Sequence, residues 1–133
     1  MQRTLVNPKA TLAMYENYHF SQATRVGDTI WVSGQVGIDE RFRPAAGMEA
    51  QGRLAFGALK SILAEAGASL GDVVELTTFH TSLRADMAAF SKVKDEHFPA
   101  NYPSWTAVGV TELAMPELLV EVRAVAVVGS ALG

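Results

Sequence analysis

Residues 117–128 read ELLVEVRAVAVV, and this stretch decides the fold. Its even positions, Leu118, Val120, Val122, Ala124, Ala126 and Val128, are all apolar, while its odd positions include Glu121 and Arg123. A strict period of two belongs to a strand with one face in a core and the other partly polar. Pro116 marks the turn before it, and Ser104–Leu113 reads as the preceding strand. Further back, Asp72–Ser82 (DVVELTTFHTS) is β-branched and aromatic, hence another strand.

Between these strands the period becomes helical. From Met48 to Ala66, Leu54, Ala58, Ile62 and Ala66 recur every fourth residue beside a row of Ala55, Leu59 and Leu63, and Gly67 fits a C-terminal cap. Asp86–Phe98 places Met87, Phe90, Val93 and Phe98 on one side, with Asp86 and His97 suited to the two ends of the helix dipole. Near the N-terminus, Thr4 and Val6 alternate with Arg3 and Leu5 as a short strand that Pro8 ends. Residues 9–22 show no clean period and are predicted to form a loop. Val26-Gly27-Asp28-Thr29 is a turn joining strands 22–26 and 29–34, and Gly34, Gly37, Pro44 and Gly47 punctuate a loop to about residue 47.

The order β-β-β-α-β-α-β-β predicts one α+β domain over residues 1–133: two layers, one mixed sheet with two helices on one face. Its β-α-β-α-β centre allows parallel neighbours with right-handed crossovers. The other sheet face must meet water or another subunit, and Trp31, Trp105 and Val125 lie on strands that expose one face, which favours association.

Composition narrows the function. The 133 residues are 49% hydrophobic and 19% charged, so a core can form and disorder is excluded. Eleven basic against 14 acidic side chains give a net charge of −3, which disfavours nucleic-acid partners. The chain has no cysteine, which removes disulfides, thiolate metal sites and a cysteine nucleophile. No signal core and no apolar run long enough for a membrane span is visible, so the expected location is cytoplasmic.

Phosphate loops, dinucleotide glycine fingerprints, GxSxG and HExxH are absent. His19, His80 and His97 are too dispersed to indicate a metal site. His80 reads as a hydrogen-bonded strand residue before it reads as a catalytic base, and His97 as a solvated helix-end residue. Glu121 and Arg123, two apart on a strand, share a face. They form either a salt bridge on a wet or subunit-facing surface, or a carboxylate positioned for acid–base work beside a cation.

The segments HFSQATRVGDTIWVSGQVGID, AGASLGDVVELTTFHTS and NYPSWTAVGVTEL…LLVEVRAVAVV resemble the reactive intermediate deaminase (Rid or YjgF) family over about residues 5–129, with PSWTAVGVT and the upstream FHT most like its YjgH branch. The resemblance implies a chorismate-mutase-like fold and a homotrimer with ligand clefts between subunits. In the archetypal branch these clefts hydrolyse reactive enamines and imines to a keto acid and ammonia, with no cofactor and no metal.

The resemblance also implies site positions. Ser33, Gly34 and Glu121 match the family pattern, with Glu121 the candidate catalytic carboxylate. Phe20 stands where the motif has tyrosine, Trp105 where it has the arginine that forks onto the substrate carboxylate, and Arg123 where it has a second acid. Tryptophan offers one N–H and no charge, so standard 2-imino acids are disfavoured as substrates. The rival expectation is a non-catalytic small-molecule-binding module that uses the same cleft. RNA cleavage, an older label for the family, fits neither the acidic charge nor the absence of a clustered histidine pair.

Overall fold

The computed structural model describes residues 1–133. Its strands are β1 (Thr4–Val6), β2 (Ala23–Val26), β3 (Thr29–Val36), β4 (Val73–His80), β5 (Ser104–Gly109) and β6 (Val120–Val127). They form one mixed sheet in the order β1-β2-β3-β6-β4-β5. The helices are α1 (Leu12–Tyr18), α2 (Met48–Glu65) and α3 (Leu83–His97). The last strand, β6, inserts antiparallel to both β3 and β4. Parallel pairing is thereby confined to β4 and β5.

The even positions of β6, Val120, Val122, Ala124 and Ala126, are fully buried beneath α2 and α3. Phe56, Leu59, Leu63, Phe90 and Val93 meet them from the helices. In α2 the buried stripe is Ala55, Phe56, Leu59, Ile62 and Leu63, while Leu54 turns to solvent. Arg25 closes the C-terminal end of α2, donating from Nη1 to the Ala66 carbonyl at 2.7 Å and from Nε to the Gly27 carbonyl at 2.8 Å. A cation at this end satisfies orphan carbonyls and opposes the helix dipole. Across the outer surface, Arg53 donates to both Glu96 oxygens at 2.9 and 2.8 Å, linking α2 to α3.

Residues 9–22 are not the expected loop. Lys9–Thr11 forms a 3₁₀ turn leading into α1, which ends at His19 in the left-handed conformation (φ 60°). Nothing in α1 is buried, so no apolar face had to be written into its sequence. The domain thus has three helices, of which α2 and α3 cover the sheet. β5 stops at Gly109 rather than Leu113, and α3 begins at Leu83, three residues before Asp86. His97 is not simply solvated. Its ring stacks on Phe56 at 5.0 Å, and its Nδ1 hydrogen-bonds the Val93 carbonyl at 2.8 Å.

The sheet face away from α2 and α3 carries two cross-strand rows, Leu5–Thr24–Trp31–Val125 and Val36–Glu121–Phe79–Val108. Leu5, Trp31 and Val108 are exposed there. No helix is long and apolar enough to cross a membrane.

Candidate functional site

The site begins at an irregularity in β3. Val32 pairs with Ala124 and Gln35 with Val122, so Ser33 and Gly34 together oppose the single residue Arg123. This bulge lets Val32 and Gln35, three apart, both turn into the core, where they are buried. Such bulges re-aim side chains beside functional sites.

Ser33 is fastened on both sides. Its N–H donates to the Gln22 carbonyl at 2.8 Å, and its hydroxyl to the Ser21 carbonyl at 2.7 Å. Gln35 Nε2 donates to Gln22 Oε1 at 2.8 Å and to the Ser33 carbonyl at 3.0 Å, which holds the bulge from the core side. Phe20, exposed, directly precedes Ser21 in the chain, and no contact ties its ring to Gly34 or Glu121.

Glu121 lies on β6 between Val36 and Phe79. Its carboxylate folds onto Gly34: a Cβ at position 34 would stand 2.5 Å from Glu121 Cδ and 2.6 Å from Oε1. Only glycine leaves room for it. Burial raises the Glu121 carboxyl above its ordinary 4.5, because desolvation penalises the charged form. Ser33, Gly34 and Glu121 therefore share one corner of the uncovered face.

Arg123, exposed, shares that face across from Thr77. It makes no ion pair with Glu121; the chain's ion pairs lie elsewhere. The Glu121 side chain is taken up against Gly34, and residues two apart on a strand are about 6.7 Å apart along it. An exposed pair would gain too little to pull them together.

Trp105 lies elsewhere. Its parallel partner is Leu76, fully buried, so its side chain turns to the helix layer and not to the uncovered face. The indole N–H donates to Thr78 Oγ1 at 2.9 Å, and the ring lies 6.0 Å from Phe90. Glu121 is two strands away and three registers along, about 14 Å between backbones and on the opposite face. A single chain does not bring the two residues together. Two surface concavities, one including Leu70, Phe98 and Pro103 and the other Thr81 and Thr111–Pro116, contain none of the six residues named from the sequence.

Beneath Trp105, Thr78 Oγ1 also shares a 2.7 Å hydrogen bond with Nε2 of fully buried His80. His80 Nδ1 has no partner, and burial pushes the imidazole below its ordinary 6.5, opposed by the charge of Asp86. Lys94 was missed in the sequence. Its ammonium sits 4.7 Å over the Trp105 ring and 5.8 Å from that of Tyr102. The available signal was spacing, since Met87, Phe90 and Lys94 fall at i, i+3 and i+7 on one helix face. No cluster of three or more histidine or acidic side chains is disposed to hold a metal ion.

A family model described as Endoribonuclease L-PSP matches residues 10–128. The "RutC family protein YjgH" of Escherichia coli is 43% identical over 115 residues, 86% of this chain and 88% of that protein. A "2-iminobutanoate/2-iminopropanoate deaminase" of Dermatophagoides farinae is 32% identical, over 71% of this chain and 74% of its own. A solved structure of a protein named YjgH superposes with a TM-score of 0.87 at 40% identity, covering 96% of this chain and 98% of that one.

Proposed function

The chain belongs to the Endoribonuclease L-PSP family, the reactive intermediate deaminases that its motifs resemble, and from this premise we propose that it hydrolyses a small reactive imine or enamine. Glu121 carries the chemistry. The observation behind this reading is a carboxyl group folded onto Gly34, half-buried, with no cation paired to it and its proton affinity raised by burial. A carboxyl group nearer to neutral titrates where it can both take and return a proton.

In the proposed step, the Glu121 carboxylate takes a proton from water as the oxygen bonds to the imine carbon. The C=N electron pair moves to nitrogen, which receives that proton. The carbinolamine then collapses: Glu121 takes the hydroxyl proton and returns it to the amine nitrogen, the C–N bond breaks, ammonia leaves and a carbonyl forms. Ser33, whose hydroxyl hydrogen is directed to Ser21, offers its oxygen only as an acceptor.

A ligand that meets both Glu121 and Trp105 must lie between protomers, because one protomer places them on opposite faces. The partly apolar uncovered face, with Trp31 and Val125 paired across it, supports a homotrimer. Light scattering is expected to give three chains per particle; a stable monomer at micromolar concentration would overturn this part of the reading.

Trp105 has no charge and its one N–H is already bound to Thr78. The two charge-assisted bonds of an arginine clamp are worth about 1.5–3 kcal/mol each, so 2-imino acids should be poor substrates. The experiment generates 2-iminopropanoate and a carboxylate-free imine in situ with amino acid and amine oxidases. Faster loss of the imine that lacks an adjacent carboxylate supports the reading. Rates on 2-iminopropanoate matching those of an arginine-bearing relative would refute the substrate assignment. Ligand binding with no turnover of any imine would leave the cleft a binding module.

A further inference from the structure

Lys94 stands in the last turn of α3, and its side chain is nine-tenths buried, with 9% of its surface exposed. Its ammonium makes no hydrogen bond. The nearest carboxylate, Asp95, lies at 3.7 Å, outside hydrogen-bond distance, and is 66% exposed. His80 Nδ1 is the only fully enclosed polar side-chain atom without a partner, so the Lys94 ammonium reaches the surface from a buried stem. Besides the loose ion pair with Asp95 it has two aromatic rings, Trp105 at 4.7 Å and Tyr102 at 5.8 Å. The indole is itself locked, with its N–H on Thr78 and its body against Phe90. Tyr102 is 68% exposed, so the group lies at the rim of the fold, beside the edge strand β5.

From this we infer that Lys94, held over Trp105 and beside Tyr102, is a binding site for a carboxylate carried on a flat, conjugated body. The ammonium supplies the charge, its three donors have no protein acceptor, and the exposed phenol ring offers a face for stacking. This rests on the reading that the Trp105 edge faces the ligand cleft, and it deepens that reading. A lysine reaching over the indole from α3 is a point charge rather than a fork. It holds an acid group farther out than a residue at position 105 would. The favoured substrate then has its acid separated from the reacting carbon by a planar segment, which leaves 2-imino acids poor.

The test uses the full chain with Trp31→Phe, which leaves Trp105 as the only one of two tryptophans. Benzoate is titrated against Trp105 fluorescence, with benzamide as the uncharged control of the same shape. Benzoate is expected to bind saturably, at least about tenfold tighter than benzamide. Lys94→Met, which keeps the apolar stem, should abolish that preference, and Lys94→Arg should keep most of it. Equal affinity for benzoate and benzamide in the parent would overturn the inference even if Lys94→Met failed to fold. So would unchanged benzoate binding in Lys94→Met, or no saturable signal below about 10 mM. Imine turnover measured on the same proteins separates the two proposals. Benzoate binding without turnover defeats only the deaminase reading, and turnover without benzoate binding defeats only this one.

Discussion

Replacing Gln51 with leucine keeps the side-chain volume and removes three hydrogen bonds that fasten two loops to the start of α2. Gln51 Nε2 donates to the carbonyls of Ala45 at 2.9 Å and Glu117 at 2.8 Å, and Oε1 accepts from the Leu119 N–H at 2.7 Å. The side chain is 1% exposed, so water cannot substitute within its site. Three bonds at about 0.5–1.5 kcal/mol each sum to about 3 kcal/mol. The added apolar burial returns about 1 kcal/mol. The net loss of about 2 kcal/mol lowers Tm by about 5–10 °C in a domain of this size. Urea unfolding followed by far-UV circular dichroism, at one fixed protomer concentration, should show an earlier midpoint with an unchanged slope. Turnover should fall as well, because Leu119 leads directly into the strand that carries Glu121. A stability change under about 0.5 kcal/mol would refute the role given to Gln51.

Gly34→Ala should leave the fold intact, since the atom it displaces is the mobile end of Glu121; the displaced carboxyl should then titrate closer to its ordinary 4.5 when followed by NMR. His80 is held below 6.5 by burial, so the unfolded chain binds a proton that the folded one refuses. Stability should therefore fall as pH drops below about 6.5, and His80→Gln should flatten that part of a urea-midpoint profile. Glu121 has the opposite sign: its raised carboxyl favours folding at low pH, and this contribution is lost as pH rises through the folded value. Arg123→Ala should leave the Glu121 titration unmoved, because the two are not paired; a clear upward shift would show that they interact.

What the sequence could reveal depended on what each segment packs against. The alternation in residues 117–128 survives intact because one face of β6 is core along its whole length. α2 and α3 were legible for the same reason, although in α2 Leu54 is exposed, Ala58 only half-buried, and Phe56, outside both predicted rows, fully buried. α1 buries nothing and so carried no period. The bulge was invisible, because Ser33-Gly34 extends a β-rich run without any sign of which neighbour it opposes. At the site, Glu121 was legible from its strand. The face taken by Trp105 was not, since it depends on the parallel register of β5 against β4, which no local pattern encodes. Lys94 sat in the apolar row of α3, where a lysine reads as solvated unless its aromatic partners, 8 and 11 residues further on, are known to fold back over it.

The most direct test of the account is the rate of imine hydrolysis by Glu121→Gln, measured on a carboxylate-free imine that the unaltered protein turns over. Glutamine keeps the size and contacts of the side chain and removes its capacity to accept a proton from water. A kcat lower by about 10²–10⁴-fold is expected, with folding stability at neutral pH equal to or above that of the parent, because a desolvated carboxylate has been removed. A kcat within about threefold of the parent's would contradict it and place the proton transfer on some other group.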